Sequence, residues 1–250
     1  MFYFEKCYDI PELLRNNMHI HSHYSHCARP EMKLADIVRE AERCGLENIA
    51  ITDHSDIALH NTTVRNNEAL KAERDALTTR VHVRIGAEIS LYGVGKYSQT
   101  PEEIRAMEYR LFAQNHYHVN HWEHPEEQTP QGYARHTQEC LEGLFATGMA
   151  DCIAHPIVPI KGNRLADPAQ MLDCFSDETL GDLLEKGERA GCAWELHRGA
   201  VAAFPEFSRR YFQIGREVGV HFTYAADAHR LVDIDPAPAE ELFRRVLLAP

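Results

Sequence analysis

Imidazoles and carboxylates recur along this chain at the ends of short apolar runs: His19-Ile20-His21, His26, Thr52-Asp53-His54, Glu88, His116, His155 and Asp227-Ala228-His229. Imidazole nitrogen and carboxylate oxygen together suit Zn²⁺, Mn²⁺ or Fe²⁺. With Asp53 set aside these are nine groups, too many for one ion. They match a cluster of two or three divalent ions, and such clusters hydrolyse phosphate esters.

The motifs differ in what they specify. His19-Ile20-His21 puts two imidazoles on one face of a strand, because side chains alternate with a period of two. His23 continues that alternation, so His19 with His21 and His21 with His23 are both open as chelating pairs. Ile49-Ala50-Ile51-Thr52-Asp53-His54 is a buried strand running into a polar tip, where His54 reads as a ligand and Asp53 as a turn or helix-cap residue. Glu88 follows Ile85-Gly86-Ala87, whose small residues permit close packing beneath a site. A carboxylate there is costly to bury unless it is paired or metal-bound, and it is placed to bridge two ions. In Asn115-His116-Tyr117-His118 the alternation lets only one imidazole face the site. Pro156 stops the strand that ends in His155. Each motif alone is as well explained by a surface histidine or a capping carboxylate. Their shared position at strand ends is not.

Seven apolar, β-rich runs must do the positioning: Met18–His21, Asn48–Thr52, Val83–Glu88, Leu111–His116, Asp151–Ala154, Ala193–Leu196 and Val220–Ala226. Helical spacing intervenes. Leu34, Ile37, Val38 and Ala41 repeat at i, i+3, i+4 and i+7. Further stripes run through Tyr133–Phe145, Leu180–Leu184, Phe207–Ile214 and Leu242–Leu247. Pro101 and Pro236 fit first helical turns. Gly93–Gln99 and His121–Gln131 read as loops, the second placed to lie over an active-site mouth. Strand–helix alternation throughout predicts parallel βα units in one barrel spanning residues 1–250. In such barrels the C-terminal strand ends converge on the face that carries the active site.

The net charge of −12 argues against a nucleic-acid-binding surface, while bound cations would still invert the charge locally for an anionic substrate. Seven scattered cysteines without C-x-x-C read as reduced thiols. The N-terminal stretch carries charges and no apolar signal core, and no apolar run approaches a bilayer span. A cytoplasmic protein without a membrane partner is expected.

His19-x-His21-Ser22-x-x-Ser25, Ile51-Thr52-Asp53-His54, Gly86-x-Glu88, His155-Pro156 and Asp227-Ala228-His229 together resemble the PHP (polymerase and histidinol phosphatase) family, over about residues 18 to 230. The resemblance implies a distorted (β/α)7 TIM-like barrel holding three divalent ions and hydrolysing phosphoesters. It implies one ion on His19, His21, Glu88 and Asp227, a second on Glu88, His116 and His155, and a third on His26, His54 and His229. Cys27 is read as a bystander. A hydroxide bridging two ions would be the nucleophile at neutral pH. Asp227 is the expected proton acceptor, and His197 or His23 the proton donor for the leaving oxygen. Lys161, Arg198 and Arg230 are the cations expected to hold a small phosphorylated substrate, with Arg29 and Arg164 as further options. Glu195 is read as pairing with one of these cations or with a sugar hydroxyl.

The expected substrates are histidinol phosphate, nucleotides or cyclic sugar phosphates. The segment from Ser22 to Arg29 lacks the Arg that histidinol phosphatases of this type carry before the position of His26. The alternatives are a non-catalytic or nucleic-acid-associated PHP module, and a metal-dependent amide hydrolase on the same barrel.

Overall fold

The structure is a computed structural model that describes residues 2–55, 60–159 and 162–249. Its strands are β1 (Asn16–Ile20), β2 (Asn48–Ser55), β3 (His82–Gly93), β4 (Lys96–Tyr97), β5 (Tyr109–Ala113), β6 (Cys152–Ile153), β7 (Ala193–His197) and β8 (Phe222–Ala225). Seven of them form a parallel ring in the order β2-β1-β8-β7-β6-β5-β3, closed by pairing of β2 with β3. This is the expected seven-stranded α/β barrel.

The eighth strand departs from expectation. Gly93–Gln99 was expected as a loop, yet β4 folds back antiparallel on the end of β3. Gly95, with φ of +68°, makes the tight turn possible.

The amphipathic stripes become α2 (Leu34–Arg43), α5 (Pro130–Phe145), α6 (Asp177–Arg189), α8 (Pro205–Val218) and α9 (Ala237–Leu247). Short helices α1 (Ile10–Leu13), α4 (Pro101–Arg105) and α7 (Arg198–Ala203) fill in between them. Pro101 opens α4 as expected, behind a capping box of Thr100 and Glu103. Pro236 is the residue before α9 rather than part of its first turn, which Pro238 occupies instead. One long helix, α3 (His60–Asp75), has no counterpart in the apolar pattern. Its inward positions among the described residues are Thr63, Asn67 and Leu70, and two of these three are polar.

Small residues make the narrow barrel interior possible. Ala50, Ala113, Cys152, Ala154 and Ala193 share it in one cluster with the larger Met18, Tyr109 and Leu111. The larger core lies between the strands and the helices outside them. At the N-terminal foot of the barrel, Phe2, Tyr3 and Phe4 pack against the interior cluster. Phe2 stacks on His221 at 3.5 Å, and the Tyr3 hydroxyl donates to the Glu108 carbonyl at 2.5 Å. One end of the barrel is therefore closed by aromatic rings, while polar side chains gather at the other. No helix among the described residues is long and apolar enough to cross a membrane.

Candidate metal centre

Six strands deliver side chains to the C-terminal mouth. His19 lies in β1, His54 in β2 and Glu88 in β3, while His21, His116, His155, Asp227 and His229 follow the ends of β1, β5, β6 and β8. His197 ends β7 and brings in a seventh strand. The third strand was expected to end at Glu88. It runs on to Gly93, and the register pairs Glu88 directly with His54 on β2.

Glu88 is the hub. Its Oε1 lies 2.9 Å from His155 Nε2 and 3.5 Å from His116 Nε2. Its Oε2 lies 2.7 Å from His54 Nδ1, 3.6 Å from His19 Nε2 and 3.7 Å from His21 Nε2. Asp227 Oδ1 is 2.9 Å from His21 Nε2 and 3.4 Å from His19 Nε2. His19 and His21 turn their Nε2 atoms toward each other at 3.1 Å. The open alternatives thus resolve by burial. His19 and His21 are fully buried and His23 only half so, and buried His116 faces Glu88 while His118 is exposed.

These groups fit divalent ions. Ligand atoms of His19, His21 and Glu88 lie within 4.8 Å of one another, as do those of His54, Glu88 and His116. Glu88 Oε2 is buried and makes no directed hydrogen bond, despite its three imidazole neighbours His19, His21 and His54. An orphaned carboxylate oxygen facing converging ring nitrogens is costly unless a cation is shared among them.

The ionisation of the site points the same way. Burial alone would push His19 and His54 down. Glu195, Asp227 and Glu88 around His19, and Glu88 beside His54, outweigh it and hold both well above the usual range. Burial would likewise raise Glu88 and Asp227, but the surrounding imidazoles hold both well below it. His21 and His116 are pushed down to about 3, chiefly by burial.

A second layer fixes the ligands. Glu195, fully buried, accepts from His19 Nδ1 at 2.9 Å and from the His155 backbone N–H at 2.6 Å. The first bond leaves His19 Nε2 free to face the site. The expected pairing of Glu195 with a surface cation or a sugar hydroxyl is therefore replaced by an inward, orienting one. Asp53 is neither a turn nor a cap residue. Within β2 it accepts from the Ser22 backbone at 2.6 Å, the Ser22 hydroxyl at 2.5 Å and the Ser25 hydroxyl at 2.8 Å. The loop after β1 is stapled to β2 in this way. His155, Ile157 and Asp227 take positive φ values of 30°, 70° and 52°, uncommon for non-glycine residues, and two of the three lie at the site.

His197 caps α7. Its Nδ1 accepts the Ala200 N–H at 2.9 Å, so the neutral ring carries its proton on Nε2, 3.3 Å from Asp227 Oδ2. Trp122, from the loop expected over the mouth, packs at 5.5 Å between ring centroids against His116.

Other expected residues fall elsewhere. His26 is exposed, its ring 6.1 Å from that of His54. Its neighbour Cys27 is the residue whose ligand atom lies within 4.8 Å of those of His21, His54 and His229. Burial raises the Cys27 thiol, but hydrogen bonding to His229 and His54 brings it down to about 7. Arg230 binds Asp233 through Nη2 at 2.7 Å and Nε at 3.0 Å, and Arg198 Nη2 lies 3.5 Å from the same carboxylate. Lys161 lies outside the described residues.

Comparison with known proteins agrees with this architecture. Residues 17–172 match the family model described as the PHP domain. The α subunit of DNA polymerase III from Borreliella burgdorferi is 24% identical over 238 residues, which is 90% of this chain and 19% of that protein. The chain thus spans about a fifth of that relative's length. The solved histidinol phosphate phosphatase of Lactococcus lactis, complexed with zinc, L-histidinol and phosphate, has a TM-score of 0.58 at 15% identity, covering 92% of each chain. A solved putative histidinol phosphatase from Listeria monocytogenes has a TM-score of 0.60 at 10% identity, covering 90% of this chain and 98% of that one. At these identities the likeness is one of fold.

Proposed function

This chain belongs to the PHP domain family, and on that basis we propose that it is a metal-dependent phosphoesterase acting on a small phosphorylated metabolite. The observation that carries the proposal is Glu88, one buried carboxylate within 3.7 Å of five imidazoles at the mouth of the barrel. His19, His21, Glu88 and Asp227 would hold one divalent ion, and Glu88, His116 and His155 a second. His54 and His229 would hold a third with a further ligand from the loop after β1. Bound there, Zn²⁺, Mn²⁺ or Fe²⁺ would supply Lewis acidity toward the phosphoryl oxygens and an acidified water.

The chain's own side chains do the rest. Asp227 Oδ2 is the base available to a water proton on the open side of the site. His197, held by its cap in the Nε2–H form, is the donor for the leaving oxygen. Glu195 keeps His19 in one tautomer and so keeps its Nε2 lone pair directed inward. Trp122 excludes water from the His116 side. Arg198 is better available for a phosphate than Arg230, because its contact with Asp233 is long and single whereas that of Arg230 is short and forked. Lys161 remains a candidate from sequence alone.

A nucleic-acid-associated module is the second reading, and the likeness to the polymerase subunit favours it. The net charge of −12 weighs against it.

The test is phosphate release from histidinol phosphate, nucleotides and cyclic sugar phosphates by protein of counted metal content. Histidinol phosphate is included because the Lactococcus lactis neighbour was solved with L-histidinol and phosphate. Release from one member of the panel, abolished by chelation and by Asp227→Asn or His54→Ala, supports the proposal. Turnover that survives removal of the ions defeats it.

A further inference from the structure

We infer that Cys27, and not His26, completes the third ion position with His54 and His229, giving this centre a thiolate corner. The inference rests on the metal-centre reading above and concerns which atom the loop after β1 presents to it.

The backbone around Cys27 is tied on both sides to the elements that carry the two histidines. Two residues before it, the Ser25 hydroxyl accepts the backbone N–H of His54 at 3.1 Å. Two residues after it, the Arg29 backbone N–H donates to the carbonyl of His229 at 2.9 Å. Asp53 holds the same loop through Ser22 and Ser25. Cys27 is thus suspended between β2 and the end of β8, and its sulfur faces the gap between the two imidazoles. Its ligand atom and those of His21, His54 and His229 all lie within 4.8 Å of one another. Both residues are exposed, but the His26 ring stands 6.1 Å from that of His54, and it is the Cys27 ligand atom that falls in the cluster.

Residue chemistry then distinguishes this corner from the rest of the centre. The other two positions offer only imidazole and carboxylate. A thiolate is a soft donor and selects Zn²⁺ or Co²⁺ over Mn²⁺ or Mg²⁺. Two imidazoles and one thiolate make three protein ligands, which leaves a coordination position open, as in catalytic rather than structural zinc sites. The centre would therefore be chemically graded, with one thiophilic position beside two harder ones.

Cobalt reports on this without any assay of turnover. Metal-free protein is loaded with Co²⁺, its cobalt content counted and its near-ultraviolet absorption recorded. A thiolate-to-cobalt charge-transfer band is expected in the native chain and in His26→Ala. It should be lost in Cys27→Ser. Cys27 is exposed, so Zn²⁺ should protect it from alkylation in peptide mapping, with the half-buried Cys7 and Cys174 as internal references. Full cobalt uptake with no such band in the native protein overturns the assignment of Cys27 and leaves the metal centre intact. A band that disappears in His26→Ala and persists in Cys27→Ser returns the position to His26. Failure to take up cobalt at all removes the metal reading itself, and this inference with it.

Discussion

At the scale of single residues, His197 does two jobs that can be separated. As the cap of α7 it accepts the Ala200 N–H, and in the proposed role of acid it presents Nε2–H to Asp227. Asn keeps the first role and loses the second, whereas Ala loses both. His197→Ala should lose about 1 kcal/mol of stability together with turnover. His197→Asn should keep its unfolding midpoint while turnover falls by about 10²-fold, the scale of a missing general acid. Equal activity in His197→Asn and the native enzyme would reduce His197 to a cap. The ionisation pattern gives a second expectation. His19 and His54 are held protonated by their carboxylate partners, so ion loading near neutrality must displace those protons. Proton release should be measurable in weak buffer and should shrink as pH rises through the raised imidazole values. In metal-free protein the raised imidazoles stabilise below their unfolded value of about 6.5 and lose that effect as pH rises. The depressed Glu88 and Asp227 stabilise above about 4 and lose that effect as pH falls through their lowered values. His21 and His116, pushed down to about 3, destabilise the fold as pH falls below about 6.5, so thermal stability of the ion-free chain should peak near 6.5. Its loss on raising pH should be reversed by metal. The residues gathered at the mouth, His26 excepted, were legible in sequence because strand ends mark where side chains converge. Cys27, Glu195 and Asp53 were not. Cys27 sits in a turn where alternation fails, and the inward aim of Glu195 follows from a barrel interior that no local pattern reveals.

At the scale of elements, the close approach of β3 and β5 carries the hub. Gly86 pairs with Tyr109, and a Cβ there would fall 1.8 Å from the Tyr109 carbonyl oxygen. Two residues on, Glu88 shares the same strand face. Gly86→Ala should cost about 3 kcal/mol through overpacking. It should lower the urea midpoint without changing the slope, and reduce metal retention because Glu88 moves with the backbone. A variant of native stability would mean that the strands separate freely at this point. The seven barrel strands were readable because each is an apolar run ending in a polar group. β4 escaped notice because two residues make no pattern. α3 escaped because Thr63 and Asn67 occupy places where a stripe would show apolar residues.

At the scale of the whole molecule, the ring order determines when a site can exist. β8 lies between β1 and β7 and joins the two ends of the chain through Asn17 and Tyr224. It also precedes Asp227 and His229, whose partners His19 and His21 stand at the other end of the sequence. Barrel closure was implied by strand–helix alternation, whereas the contact between first and last strands appears only in three dimensions. A fragment ending at Gly219 should retain far less zinc through gel filtration than the full chain, and retention equal to the full chain would contradict this. Contacts so distant in sequence form late in folding, after loop-closure entropy has been overcome. During synthesis the imidazoles of β1 therefore emerge long before Asp227, which follows the neighbouring strand β8, and the proposed first ion position is incomplete on the growing chain. On the proposed metal-centre reading, metal acquisition would be an event that follows barrel closure, and the ion taken up would reflect the metal supply around the folded protein rather than the moment of translation.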